Sequence, residues 1–201
     1  TLLHRDHDDF PDVIVVVADI ENIKRNLLLY SQIKDLQIPT ILAINMADQL
    51  SKKGVEIDLE QLKLELKSEV VLISARKNLG IDELKKAILN YKSLDTEALA
   101  HISEKIDKAY FEKLKQNFPN LSLYKAWLYV TQLEQYNDLS EEEVALINSY
   151  KQDRPKLKKY QHKETIYRYQ QINSILKKTY KVDKSKARDL RSKLDRVLTH
   201  K

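Results

Sequence analysis

Apolar positions change their spacing once along this chain. Up to about residue 92, short β-branched runs alternate with helically spaced stretches. Val13-Ile14-Val15-Val16-Val17-Ala18, bounded by Pro11 and Asp19, predicts a strand buried on both faces. Ile23, Leu27, Leu28, Ile33 and Leu36 fall at helical spacing before Pro39, which predicts a helix over 23–36. Thr40 to Ile44 predicts a second buried strand and Val70 to Ile73 a third. Between them Asp58 can cap a helix carrying Leu59, Leu62 and Leu66 on one stripe, and Ile81 to Tyr91 predicts another helix. Such alternation implies a parallel sheet covered on both faces, and three strands with an open edge would be expected to continue in further chain.

From about Asp95 the β-type runs stop. Helices are predicted over 97–118, ended by Pro119-Asn120, and over 121–136, with Leu121, Trp127 or Leu128, Val130 or Thr131 and Leu133 facing inward. Ser140-Glu141-Glu142-Glu143 spells a capping box, so a helix is predicted from 141 to 153, stopped by Arg154-Pro155. Amphipathic stretches at about 161–180 and 185–199 follow, parted by residues 181–184. The fold class is therefore α/β followed by all-α: residues 1–92 a parallel-sheet domain, residues 93–201 a helical bundle.

Composition removes several classes of function. Of 201 residues only Gly54 and Gly80 are glycine. A Walker-type phosphate loop or a dinucleotide fingerprint needs glycines far closer together. Cysteine is absent, so there are no disulfides or thiolate-held metals. Val13 to Ala18, the longest apolar run, is too short to span a bilayer. The single methionine is Met46, so Thr1 is read as an internal start and the chain as a piece of something longer. Charge is uneven: residues 1–92 hold 13 Lys+Arg against 15 Asp+Glu, residues 93–150 hold 5 against 10, and residues 151–201 hold 17 against 5. The last segment, at +12, predicts a surface role.

The chemistry sits at the carboxyl ends of the predicted strands, where parallel α/β sheets bind ligands. The second strand ends in Asn45-Met46-Ala47-Asp48 and the third in Ser74-Ala75-Arg76. These are the groups that recognition of guanine requires. The Asp48 carboxylate can accept two parallel hydrogen bonds from the ring N1–H and the exocyclic amine, and adenine presents the opposite pattern there. Asn45 can tie the two loops together and approach the other edge of the base. Met46 offers an apolar stem to the ring, and the Ala75 N–H can donate to the O6 carbonyl. Alone, N-x-x-D can equally be a strand-terminal turn. The strand context, the Ser-Ala pair and the helix opened by Gly80 favour the base site.

The order of elements resembles the back half of a small P-loop GTPase domain, and the spelling resembles one family. Asp12-Val-Ile-Val-Val-Val-Ala-Asp19, Lys24-Arg25-Asn26-Leu27-Leu28-Leu29 and Ile41-Leu42-Ala43-Ile44-Asn45-Met46 look like the FeoB family of bacterial ferrous-iron transport proteins, which typically has methionine inside the base motif, as Met46 is here. Arg168-Tyr169 followed by Ile172, and the closing Leu194 to Lys201, resemble the family segment before its first membrane helix. The resemblance implies that residues 1–92 are the latter half of the cytoplasmic G domain, with a partial P-loop GTPase-like sheet, and that residues 93–201 are the helical domain described as slowing GDP release. It implies GTP or GDP as ligand, with Asn45, Met46, Asp48, Ser74, Ala75 and Arg76 as nucleotide-binding residues. The phosphate loop and both switches would precede Thr1, so Mg²⁺ is expected only with that half, no catalytic residue is assigned, and the chain alone is expected to be inactive as a GTPase.

The same resemblance implies a place on the cytoplasmic face of the bacterial inner membrane beside a transmembrane transport domain. The +12 segment would suit anionic lipid heads, although on charge alone a solvated helix face is as good a reading. No nucleic-acid partner is expected under this reading. Two rivals are a non-enzymatic helical module binding acidic partners or nucleic acid, suggested by the pI near 9.1, and another translation-type GTPase with a helical appendage. Histidines 4, 7, 101, 162 and 200 lack the close pairing of a helix metal site, and the His4 to Asp9 cluster is short and terminal, so no metal is assigned. Trp127, Tyr124 and Tyr129 are read as bundle core rather than a base-stacking platform.

Overall fold

The computed structural model describes residues 10–132, 139–183 and 185. They divide into two compact units, one made of the described residues of 13–30, 39–95 and 172–201, the other of those in 1–12, 31–38 and 96–171.

The first unit holds a parallel sheet of three strands in the order β1 (Ile14–Asp19), β2 (Thr40–Asn45), β4 (Glu69–Leu72). Ile14 pairs with Thr40 and Asp19 with Asn45, while Ile41 pairs with Glu69 and Ile44 with Leu72. β2 is central and buried from Thr40 to Ile44, as its unbroken apolar run predicts. β1 corrects the expectation of burial on both faces: among the described residues it has one strand neighbour, and Val17 is 56% exposed. Ile41, Ala43, Val71 and Ile73 form a buried layer on one face, covered by Ile81, Leu84 and Ile88 of α3 (Ile81–Leu89). α2 (Leu59–Leu66) starts at Asp58, whose carboxylate accepts from Gln61 N at 3.0 Å, and buries Leu62 and Leu66.

One feature of this unit was not predicted. β3 (Val55–Ile57) pairs antiparallel with β5 (Tyr180–Val182), and Asp58 N to Thr179 O and Asp183 N to Gly54 O, both 2.8 Å, extend the ribbon. The expected break at 181–184 is thus a strand at its start. The predicted helix at 185–199 lies outside the described residues apart from Ser185.

The second unit is helical. The single helix predicted over 97–118 is two, α4 (Ile102–Ile106) and α5 (Lys108–Asn117). Asp107 is extended between them, and its carboxylate accepts from Tyr110 N at 3.0 Å to cap α5. α6 (Leu123–Thr131) buries Trp127 and Val130 rather than Leu128 and Thr131; Leu133 lies outside the described residues. α7 (Glu141–Lys151) opens with the predicted capping box. α7 ends at Lys151, just before Arg154-Pro155, and these two residues in turn open α8 (Arg154–Thr179), which starts earlier than the stretch predicted from about 161. Proline lacks only an N–H that a first turn leaves unbonded anyway, and Asp153 caps this turn through Lys156 N at 3.1 Å. Trp127, Tyr124 and Tyr129 are 1%, 5% and 0% exposed, and the Tyr110 ring meets Phe111, Trp127, Tyr150 and Tyr160 edge-on. These aromatics are core.

Candidate functional site

β2 and β4 end side by side, and backbone bonds carry their pairing into the loops beyond. Ile73 N donates to Ile44 O at 2.8 Å and Ala47 N to Ile73 O at 2.9 Å. Met46 then takes a left-handed conformation, φ 66°, which turns the chain into a short 3₁₀ turn over Ala47–Gln49. On the other loop Ser74 caps a 3₁₀ turn over Ala75–Lys77, and Asn78 and Gly80 are also left-handed. Ser74 N and Leu79 N each bond the other residue's carbonyl, at 2.9 and 3.1 Å, closing this loop on itself. Gly80 is dictated by space as well as by its φ of 72°: a Cβ there would stand 2.0 Å from the Leu72 carbonyl oxygen.

The predicted residues meet across these loops. Asn45 Oδ1 accepts from its neighbour Met46 N at 2.8 Å and from Ala75 N at 3.1 Å, so it ties the loops as expected. The Ala75 N–H, expected to stand open toward a ligand, is engaged by Asn45 here. Asp48 Oδ1 accepts from Ser74 Oγ at 2.7 Å, and Oδ2 accepts from Gln49 Nε2 at 2.7 Å and Arg76 Nη2 at 2.9 Å. The Lys77 ammonium lies 4.0 Å from the same oxygen. The Ser74 hydroxyl, together with Arg76 and Gln49, outweighs desolvation and holds the Asp48 carboxyl down at about 2. Gln49 and Lys77 were missed by sequence reasoning; their only signal is that they adjoin Asp48 and Arg76.

Asp19, at the end of β1 opposite Asn45, has a local task. It turns the chain toward α1 (Ile23–Lys34) by accepting from Glu21 N and Asn22 N, both at 2.8 Å. Desolvation pushes its carboxyl up, and the bonds from Asn22 and Glu21 more than offset this and hold it low. Among the described residues no group of three or more His, Asp or Glu could hold a metal ion, and no helix is long and apolar enough to cross a membrane. The His4 to Asp9 cluster lies outside them.

The second and third strands of the parallel sheet thus end in N-x-x-D and S-A-R, and side-chain bonds join the two loops. Residues 3–88 match the family model described as ferrous iron transport protein B. Over those residues the chain is similar to the FeoB family. It is similar to the Fe(2+) transporter FeoB of Leptospira biflexa, 32% identical over 105 residues, which are 52% of this chain and 15% of that protein. The chain thus spans about a seventh of that relative's length. The solved cytosolic domain of L. pneumophila FeoB is 26% identical, with a TM-score of 0.65 over 87% of this chain and 70% of that one. The cytosolic domain of T. maritima FeoB in a GDP form shares the fold at a TM-score of 0.72 and 20% identity, over 90% of this chain and 70% of that one.

Proposed function

We propose that the loops 45–49 and 74–77 are the base-recognising half of a guanine-nucleotide site, in the cytoplasmic region of a ferrous-iron membrane transporter whose uptake is regulated by GTP binding. The observation that carries the reading is the ionised, almost fully enclosed Asp48 carboxylate, its side chain 5% exposed, held at the end of β2 by Ser74 from the next strand. An acceptor-only group fixed in this way suits the N1–H and exocyclic amine of guanine and opposes adenine. Met46, Asn45, Ala75 and Arg76 border it. The L. pneumophila and T. maritima domains support the reading, the latter having been solved in GDP and GMPPNP forms.

In this reading residues 1–92 are the latter half of a G domain and residues 93–201 a helical domain that answers to the nucleotide's state and passes it to an adjoining transmembrane domain. The basic segment 151–201 would lie against anionic lipid. No step of phosphate chemistry is assigned to any residue of the chain; phosphates and Mg²⁺ would be held by a glycine-rich half of the kind this sequence does not contain. The test is a backbone-amide NMR titration of the chain with GDP and with ADP. GDP should move the amides of Met46, Asp48 and Ala75 in a saturable way and ADP should not. Equal responses to both would refute base recognition.

A further inference from the structure

Four acceptor positions are available on an ionised carboxylate, two on each oxygen. At Asp48 three are filled. Ser74 Oγ takes one on Oδ1, and Gln49 Nε2 and Arg76 Nη2 take both on Oδ2. Guanine offers two parallel donors and needs one position on each oxygen. One of the donors on Oδ2 must therefore leave before the base can bind.

The two candidates differ in what leaving costs. Gln49 ends the 3₁₀ turn that carries Asp48, and its amide bond is part-buried. Arg76 reaches Asp48 from the opposite loop on a side chain that is 70% exposed. An exposed guanidinium returns to water with little loss, since it exchanges one charge-assisted bond for solvent. Its chemistry also matches the base. The N1–C2–N2 edge of guanine is itself a guanidine-like pair of N–H donors, so the arginine occupies a position on the carboxylate with the same kind of group that a ligand would bring.

We infer that Arg76 is an intramolecular competitor of guanine: in the free protein its guanidinium stands in for the base on Asp48, and nucleotide binding displaces it. The inference rests on the reading of 45–49 and 74–77 as a base site, and it changes the part expected of Arg76 from a ligand contact to a latch. A latch of this kind raises the bar only for a ligand that must use both oxygens of Asp48. Only a ligand that replaces the lost bond and adds a second one gains by opening it.

The experiment is guanosine binding, by NMR titration of the full chain, for wild type, Arg76→Ala and Arg76→Ala/Lys77→Ala. The double variant guards against Lys77, 4.0 Å away, taking over the vacated position. Guanosine is uncharged, so removing a cation does not change its long-range attraction. The variants should bind guanosine about two- to five-fold more tightly than wild type, the worth of one exposed ion pair, with adenosine unaffected. In the same variants the Asp48 carboxyl, followed by ¹³C NMR, should titrate above its wild-type midpoint of about 2, toward 3.8. Weaker or unchanged guanosine binding in both variants would overturn the latch, and so would an Asp48 titration that does not move. Either result leaves the base site standing if guanosine still binds in preference to adenosine. No guanosine binding by any of the three chains would refute the base site and the latch together.

Discussion

Two Asp–Arg pairs in this molecule are alike in chemistry and opposite in setting. Asp48 and Arg76 meet at 2.9 Å with the arginine 70% exposed, whereas Asp35 and Arg168 meet at 2.7 Å with side chains 2% and 0% exposed. The buried pair belongs to a closed network in the helical unit. Arg168 also donates to Glu164 at 2.8 Å and to Ser31 Oγ at 3.2 Å, and it lies 4.6 Å from the Tyr124 ring centroid. Asp35 accepts from Leu99 N and Ala100 N, and Glu164 from Trp127 Nε1. Desolvation works against the Arg168 charge, and the two carboxylates outweigh it, so the guanidinium stays protonated. Opening this pair would strand charges in the interior. Opening the other exposes one arginine to water and frees an acceptor. The same two residue types make a fixed joint where they are enclosed and an exchangeable contact where one of them faces solvent.

The largest effect expected from breaking this contrast is at Arg168. Arg168→Met leaves Asp35 and Glu164 buried without their cation and should cost roughly 3–5 kcal/mol in urea unfolding. A loss no greater than that of a surface substitution would mean that the network is not enclosed in solution. Next is the frame of the candidate site. Gly80→Ala forces a left-handed alanine against the Leu72 carbonyl and should cost about 1–3 kcal/mol by the same measurement, with amide shifts concentrated over Ser74–Leu79. Smallest of all, Arg76→Ala should cost under about 1 kcal/mol by the same measurement, the worth of one exposed ion pair.

The pH dependence of the site has a definite sign. The folded-state value for Asp48 lies below the ordinary 3.8, so the ionised form belongs to the folded protein. Whatever stability or binding rests on it is complete above about pH 4 and is lost as pH falls through about 2. Guanine discrimination should therefore be flat from pH 5 to 8.

Much of the sheet and its loops was legible because local signals and tertiary context agree there. β2 is an unbroken apolar run and is buried throughout; Asp58 and Ser140 cap the helices that follow them. Gly80 stands where only glycine fits. What was not legible depended on partners remote in the chain. Val55–Ile57 and Tyr180–Val182 are three-residue strands about 125 residues apart, too short to show a period and paired only through the fold. Arg168 reads as one more cation on a basic helix; nothing near it in sequence, apart from Glu164 four residues before, announces that it is enclosed. In the site, sequence marked Asn45, Met46, Asp48, Ser74, Ala75 and Arg76 as candidates, but which acceptor positions of Asp48 are already filled is a matter of distances.

The proposed base site depends on Asp48 reading the donor edge of guanine. It is tested most directly by measuring GDP and XDP binding to the wild-type chain and to Asp48→Asn. Xanthine carries an acceptor where guanine carries its exocyclic amine, and the asparagine amide supplies the matching donor. Wild type should prefer GDP, and Asp48→Asn should lose this preference and favour XDP. Retention of full GDP affinity by Asp48→Asn, with no gain for XDP, would contradict that role of Asp48.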